Sequence, residues 1–396
     1  MKFNPSHILS IIAAFMLANC MSAKNVTLED LGLEKLEDGS VSISRTINLE
    51  GNTLLIPSGV TLDFTGEGSI TSGTVTGNNT AISNGAKEIF DKITINGSWN
   101  VPEISTAFFV KPDNNTLSNL SAMLSATVHN TLRIDNPCTV PIDINWSSRF
   151  IIKSNTDVIF NEDISAAYSE LPGGYAMLID GSNINIYGNG HTLTGTIKQA
   201  RRHNAIMEHQ HGVFITKNAR NVTVDSLRSN YFCGDGFYNQ GSDVTFNRVS
   251  GKYNGRQGLS ICGGNNIHVR NSEFTDTGKL GINKSNGPGA GLDIEPSDGM
   301  KVNNVLIENC VIKNNYRYMD GYVNDLEVYD TGKTKVTVRN CTFGGLYLGN
   351  CSGLTIENCR NIKTIYGVDT NISGITIRNC GRPRLSPKVN RIINLH

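Results

Sequence analysis

From Leu132 onward the chain repeats one short phrase: two or three alternating apolar residues, then Asn or Asp, then a small residue or Cys. Val222-Thr-Val-Asp225-Ser is followed by Val244-Thr-Phe-Asn247-Arg and Ile267-His-Val-Arg-Asn271-Ser. Val305-Leu-Ile-Glu-Asn309-Cys, Val336-Thr-Val-Arg-Asn340-Cys, Leu354-Thr-Ile-Glu-Asn358-Cys and Ile375-Thr-Ile-Arg-Asn379-Cys continue the series. Val158-Ile-Phe-Asn161 and Ile184-Asn-Ile-Tyr-Gly-Asn189 are earlier, degenerate copies. Alternation with period two marks strands with one face in a core. From Asp225 the Asn/Asp positions are separated by 22, 24, 38, 31, 18 and 21 residues. A period near 22 with longer insertions predicts a solenoid of stacked coils. Stacked Asn amides can then hydrogen-bond along the axis and to turn backbone.

Ahead of the repeat the pattern is looser. Leu28 to Leu36 reads as a short helix or turn, and Val41-Ser-Ile-Ser, Thr53-Leu-Leu-Ile and Val60-Thr-Leu-Asp-Phe as short strands between Gly, Asn and Ser turns. Trp99 to Phe109 reads as extended. Asn115 to Thr127 is the best helix, with Leu117, Leu120, Met123 and Leu124 on one face. One amphipathic helix before a β array suits a cap over an open end of the core. The expected organisation is a leader at 1–23, an N-terminal β cap at 24–110, the solenoid at 111–385 and a tail at 386–396.

Composition agrees with many short strands: 38% hydrophobic, 18% charged and 40 glycines in 396 residues. The formal net charge of 0 argues against a nucleic-acid partner held by bulk charge. Lys2, the apolar run Ile8 to Ala18 and Met21-Ser22-Ala23 form an export signal cut after Ala23. Leu17-Ala18-Asn19-Cys20 is close to a lipobox, so a membrane anchor at Cys20 is the alternative. Both readings export the chain from a bacterial cytoplasm. Cys310, Cys341, Cys359 and Cys380 share one register in the repeat, which suits stacked, buried free thiols at the strand ends. They lack the paired spacing of a zinc site. No nucleotide-binding glycine loop, nucleophile elbow or EF-hand occurs. No cofactor is expected, and calcium is the one metal that the Asp/Glu clusters admit.

The repeat resembles the right-handed parallel β-helix proteins of the pectate-lyase-like superfamily, over roughly residues 130–380. The resemblance implies an all-β, right-handed, single-stranded parallel β-helix with an N-terminal β cap and one short capping helix. The N-terminal part is similar to leaders of secreted bacterial β-helix proteins. The superfamily holds polysaccharide lyases, polygalacturonase-type hydrolases, uronan epimerases, tailspikes and non-catalytic adhesins, so it implies a glycan partner without choosing a reaction.

Coils stacked at about 4.8 Å bring aligned residues together. Matching glycines aligns Gly234-Asp-Gly-Phe-Tyr-Asn-Gln, Arg256-Gln-Gly-Leu-Ser-Ile-Cys and Gly289-Ala-Gly-Leu-Asp-Ile-Glu, with Asp325-Leu-Glu-Val-Tyr as a fourth rung and His209-Gln-His211-Gly-Val-Phe as the preceding one. Phe237, Leu259, Leu292 and Leu326 then stack inward. Tyr238, Ser260, Asp293 and Glu327 stack outward, as do Gln240, Cys262, Glu295 and Tyr329. The insertions 278–288 and 314–324 flank this face as candidate binding walls.

Asp293 and Glu295 lie two residues apart on one strand, roughly 6–7 Å at about 3.3 Å rise per residue. That fits the carboxylate pairs of glycosidic cleavage. The plainer alternative is a solvated or calcium-binding face. Asp235, in Gly-Asp-Gly-Phe, resembles the strand-end aspartates of polygalacturonases, where it would be catalytic; otherwise it is a turn aspartate. Gln257 stands where that family has His, and its Asn-Thr-Asp, Asp-Asp and Arg-Ile-Lys motifs are absent. Arg256 is a candidate for binding a uronate or developing charge, or else a structural ion pair. Tyr238, Tyr329, Glu327, His211 and Lys252 complete the candidate substrate set. The leading expectation is hydrolysis of a polysaccharide by Asp293, Glu295 and Asp235. A lyase or C5-epimerase is the enzymatic alternative, and a glycan-binding β-helix without catalysis is the rival.

Overall fold

The computed structural model describes residues 23–395 apart from 84–86, 125–128, 143–147, 204–206, 279–288, 298, 317–322, 369–370 and 390–392. The leader call at 1–23 and most of both insertion calls therefore lie outside the described residues. The chain divides between Ser98 and Trp99 into two compact units.

The first unit opens with a short strand at Asn25–Val26 and a 3-10 turn at Glu29–Leu31, and continues in strands. Ser40–Ile43 pairs in parallel with Thr61–Phe64, which pairs with the long strand Ser69–Ser83. Val41, Leu62 and Val75 are fully buried in its core. Here, too, alternating β-branched and apolar residues stack in parallel rungs.

The second unit is a right-handed single-stranded parallel β-helix. The coils as far as Thr342–Phe343 carry three strand segments. One row, through Gly173–Ile179, His209–Ile215, Phe237–Asn239, Leu259–Ile261, Leu292–Ile294 and the start of Leu326–Arg339, stacks in parallel. A second row, including Ser182–Tyr187, Arg220–Asp225, Ser242–Asn247, Gly264–Arg270 and Val302–Glu308, follows it in each coil. A third row forms its own eight-stranded sheet, from Cys138–Pro141 to Thr342–Phe343. Inward residues make columns. Ile186, Val224, Phe246, Val269, Ile307 and Val338 are paired in register and wholly buried. Burying each such side chain contributes about 1.5–3 kcal/mol.

The turn after the second row explains the Asn signal. Asn271, Asn309, Asn340, Asn358 and Asn379 all have φ between 52° and 54°, the left-handed region that Asn tolerates. Asn309 donates to Asn271 Oδ1 (3.4 Å), and Asn379 to Asn358 Oδ1 (3.1 Å). The earlier part of the ladder differs by one residue from the aligned phrases. Asn247 pairs with Arg270, so the left-handed residues of those coils are Ser226 and Arg248. The amides bridge the step diagonally: Asn271 donates to Asn247 (3.0 Å), and Asn247 to Asp225 (2.9 Å). A second ladder, not visible in the repeat phrase, runs through Asn155, Asn183 and Asn221.

The eight described cysteines are buried thiols. Cys310, Cys341, Cys359 and Cys380 each direct Sγ to the carbonyl two residues back, at 3.0–3.3 Å. The small thiol thus fills the turn and serves its backbone.

The helix Thr116–Met123 buries Leu117, Leu120 and Met123 completely. It ends at Leu124, whose ψ of 128° is extended, and the expected continuation over 125–127 lies outside the described residues. It packs on the first coils, at Glu103–Ser105, Cys138–Pro141 and Ile151–Ile152. A second, six-residue helix at Ile197–Arg202 interrupts the strand pattern; it follows a strand of the third row and buries Ile197 and Ala200.

Candidate functional site

The outward side of the first strand row is a continuous column. Phe214, Tyr238, Ser260, Asp293, Glu327, Tyr347 and Tyr366 are partners rung by rung. The expected register of Tyr238, Ser260, Asp293 and Glu327 is therefore the observed one. Their surroundings differ from a solvated face: Ser260, Asp293 and Glu327 are 1%, 2% and 4% exposed. Asp293 sits at the bottom of a cleft, where water cannot shield it, and Glu327 is buried on the next rung.

That cleft has a volume of about 360 Å³. Arg256, Ser260, Asp293, Glu295 and Ser297 line one part, and Tyr175, His209, His211, Phe214 and Tyr238 another. The aromatic part is a packed wall. Tyr175 stacks on Phe214 at 4.3 Å and on His211 at 5.7 Å, and His211 lies 5.1 Å from Tyr238. The Tyr238 hydroxyl lies 3.1 Å from Ser297 Oγ.

Asp235 is fully buried beneath the cleft rather than lining it. Gly234 and Gly236 make this position accessible: an added Cβ would stand 2.7 Å from the Glu208 carbonyl in one case and 2.6 Å from Asn254 Nδ2 in the other. The Ser260 hydroxyl donates to Asp235 Oδ2 (2.9 Å), and the Gln257 N–H to Oδ1 (3.1 Å). Arg256 Nε lies 3.8 Å from Oδ1. His211 Nδ1 lies 2.9 Å from the Asp235 backbone N and 3.4 Å from Asp235 Oδ2. Burial pushes the Asp235 carboxyl up, but His211, Arg256 and the Gln257 N–H outweigh it and hold it at about 2.

Asp293, one rung on, has the opposite environment. Its Oδ2 accepts from Gln257 Nε2 at 3.4 Å, while the buried Oδ1 has no hydrogen-bond partner among the described residues. Burial, then Glu327, Glu295 and Asp235, raise its carboxyl well above the ordinary range against the opposing pull of Arg256. Glu295 is half-buried and is raised chiefly by burial. Glu327 is pushed to about 7, first by burial and also by Glu295, although Asn324 Nδ2 donates to it at 2.6 Å. Four carboxyl groups share one neighbouring guanidinium, so protonation is the cheaper way to carry part of that burden.

The fold brings Asp293, Glu295, Arg256, Tyr238 and His211 to one cleft, with Asp235 below. Glu327 is on the adjoining rung, and Tyr329 extends from the same strand. Lys252 is elsewhere. It belongs to the third strand row, where its ammonium pairs with Glu273 at 2.6 Å. Tyr175 and Phe214 were not among the candidates. Carrying the coil alignment one rung back, from His209-Gln-His211 to Gly173-Gly-Tyr175, pairs Tyr175 with His211 and would have found them. Among the described residues, no group of three or more His, Cys, Asp or Glu side chains is placed to hold a metal ion.

No family model and no curated protein matches this chain. Among solved structures it is similar to the Dettilon tailspike protein at 12% identity, covering 72% of this chain and 68% of that one, with a TM-score of 0.43. It is similar to the Agl-KA catalytic domain at 13% identity, covering 96% and 68%, with a TM-score of 0.38. PfbA, a surface adhesin of Streptococcus pneumoniae, matches at 10% identity over 94% and 89%, with a TM-score of 0.38. Identities of this size concern fold alone. The fold itself, read from its strand pairing, is a parallel β-helix.

Proposed function

We propose that the chain is an exported protein whose cleft binds a polysaccharide and hydrolyses its glycosidic bonds. The carrying observation is the opposed environment of neighbouring carboxyls: burial beside other acids raises Asp293 on the cleft floor, while the groups packed around Asp235 lower it beneath. Environments that push paired acids apart mark acid and base roles. Asp293 is the general acid that protonates the leaving oxygen. Glu295, two residues along the strand and more exposed, is the base that draws a proton from water. Strand geometry sets their residues about 6–7 Å apart, which leaves room for that water. Arg256 holds a hydroxyl or carboxylate of the sugar. Asp235 acts through Arg256 and Ser260 and is a positioning residue. Tyr175, Phe214 and Tyr238 offer ring faces on one side of the acids, and Tyr347 and Tyr366 continue the column on the other.

The test is incubation of the purified chain with a panel of neutral and acidic polysaccharides. Hydrolysis releases reducing ends without absorbance at the unsaturated-uronate band, and Asp293→Asn abolishes the release while the chain stays folded. Absorbance at that band identifies elimination and overturns the hydrolytic step. Binding without any new ends makes the protein a glycan binder and overturns the enzymatic reading.

A further inference from the structure

A second and larger cleft, about 840 Å³, lies along the third strand row and shares no lining residue with the first. It holds Lys252, the sequence candidate that the first cleft leaves out, together with Arg228, Arg248 and Tyr253. Arg248 is paired to Asp225 (2.6 Å) and Lys252 to Glu273 (2.6 Å). Arg228 is exposed and has no acidic partner among the described residues.

The backbone adds an independent sign. Four successive third-row strands end in a left-handed residue, in register from coil to coil: Tyr231 (φ 64°), Tyr253 (57°), Asp276 (60°) and Asn314 (58°). The turn is the same each time. Tyr231 N–H donates to Lys252 O (3.1 Å), Tyr253 N–H to Thr275 O (3.3 Å) and Asp276 N–H to Lys313 O (3.3 Å). Two coils place the tolerant Asp and Asn here, whereas two place a bulky tyrosine where such side chains are rarely found. The rings stack at 5.0 Å with planes 12° apart, and Lys198 Nζ sits 4.1 Å from the Tyr231 centroid. Tyr253, 38% exposed, presents this backed ring to the cleft. Strain kept at one position of an otherwise relaxed turn points to use.

We infer that this cleft is a second glycan site, in which Tyr253 stacks on a sugar ring and Arg228 pairs with a carboxylate or sulfate of an acidic polysaccharide. It would hold a polymer on a different face of the solenoid from the carboxyl cleft. Binding here does not depend on cleavage there.

The test is affinity electrophoresis through gels cast with polygalacturonate, chondroitin sulfate or neutral dextran, with thermal melting in parallel. The full chain carries Asp293→Asn throughout, so that no substrate is cut. Retardation by an acidic polymer is expected to weaken about tenfold in Tyr253→Asn and in Arg228→Ser, with little retardation by dextran. Because Asn suits the left-handed turn, Tyr253→Asn should melt at the same temperature or higher. Unchanged retardation in both variants overturns the site. So does a loss of binding that appears only with a fall in melting temperature, which would make Tyr253 structural. Equal retardation by dextran overturns the acidic ligand. A chain that cuts no polysaccharide but shows this pattern retains the second site and loses only the hydrolytic reading.

Discussion

Replacing Asp235 with asparagine removes one negative charge from a fully buried position and leaves the shape almost unchanged. The new amide oxygen can still accept from the Gln257 N–H. What is lost is the charge that faces Arg256 and the Ser260 hydroxyl. Its carboxyl falls from an ordinary 3.8 to about 2 on folding. That fall is worth ~2 kcal/mol of native stability at neutral pH. The sign follows from proton counting. Between the two values the unfolded chain holds the proton that the folded chain has released. The stabilisation is therefore complete above 3.8 and is lost as pH falls toward about 2. Urea unfolding of both proteins should show the variant weaker by ~2 kcal/mol at about pH 7, with the gap narrowing below about pH 4. A gap of the same size at about pH 3 and about pH 7 would refute the ionised state of Asp235 and, with it, the opposed pair.

Asp293→Asn should cut activity by a factor of about 10²–10⁴, measured as new reducing ends. The same change should stabilise the chain at alkaline pH: a carboxyl raised on folding adds a penalty as pH climbs through its folded value, and the amide has none. Wild-type activity should fall on both sides of an optimum, as Glu295 gains a proton in acid and Asp293 loses one in base; a flat pH profile would count against the pair. Leu120→Ala, in the wholly buried face of the capping helix, should cost about 2–5 kcal/mol in denaturant unfolding. Gly251→Ala should cost about 1–3 kcal/mol, because its Cβ would stand 2.5 Å from the Gly258 carbonyl oxygen of the next coil.

Much of the site was legible because a solenoid turns alignment into contact. Once the glycines of three phrases were matched, Tyr238, Ser260, Asp293 and Glu327 had to be neighbours, and they are. Lys252 shows the limit. It is near Arg256 in sequence but belongs to another strand row, because the turn at Tyr253 redirects the chain between them. The ladder shows a finer one: Asp225 and Asn247 match the phrase, yet the coil counts one residue differently from Asn271.

Local chemistry therefore settled the coils: alternating apolar residues set the strands, and Asn fits the left-handed corner that each coil needs. The order of outward residues followed, since parallel stacking at a fixed spacing leaves little freedom. Protonation was decided only in three dimensions. Asp293 lies on the strand Leu292–Ile294, and Asp235 two residues ahead of the strand Phe237–Asn239. The Ser260, Gln257, His211 and Arg256 groups packed around Asp235 hold its carboxyl low, and burial beside Glu327 and Glu295 pushes that of Asp293 up. A carboxyl takes its charge state from the solvent and partners that reach it, and those come from distant parts of the chain.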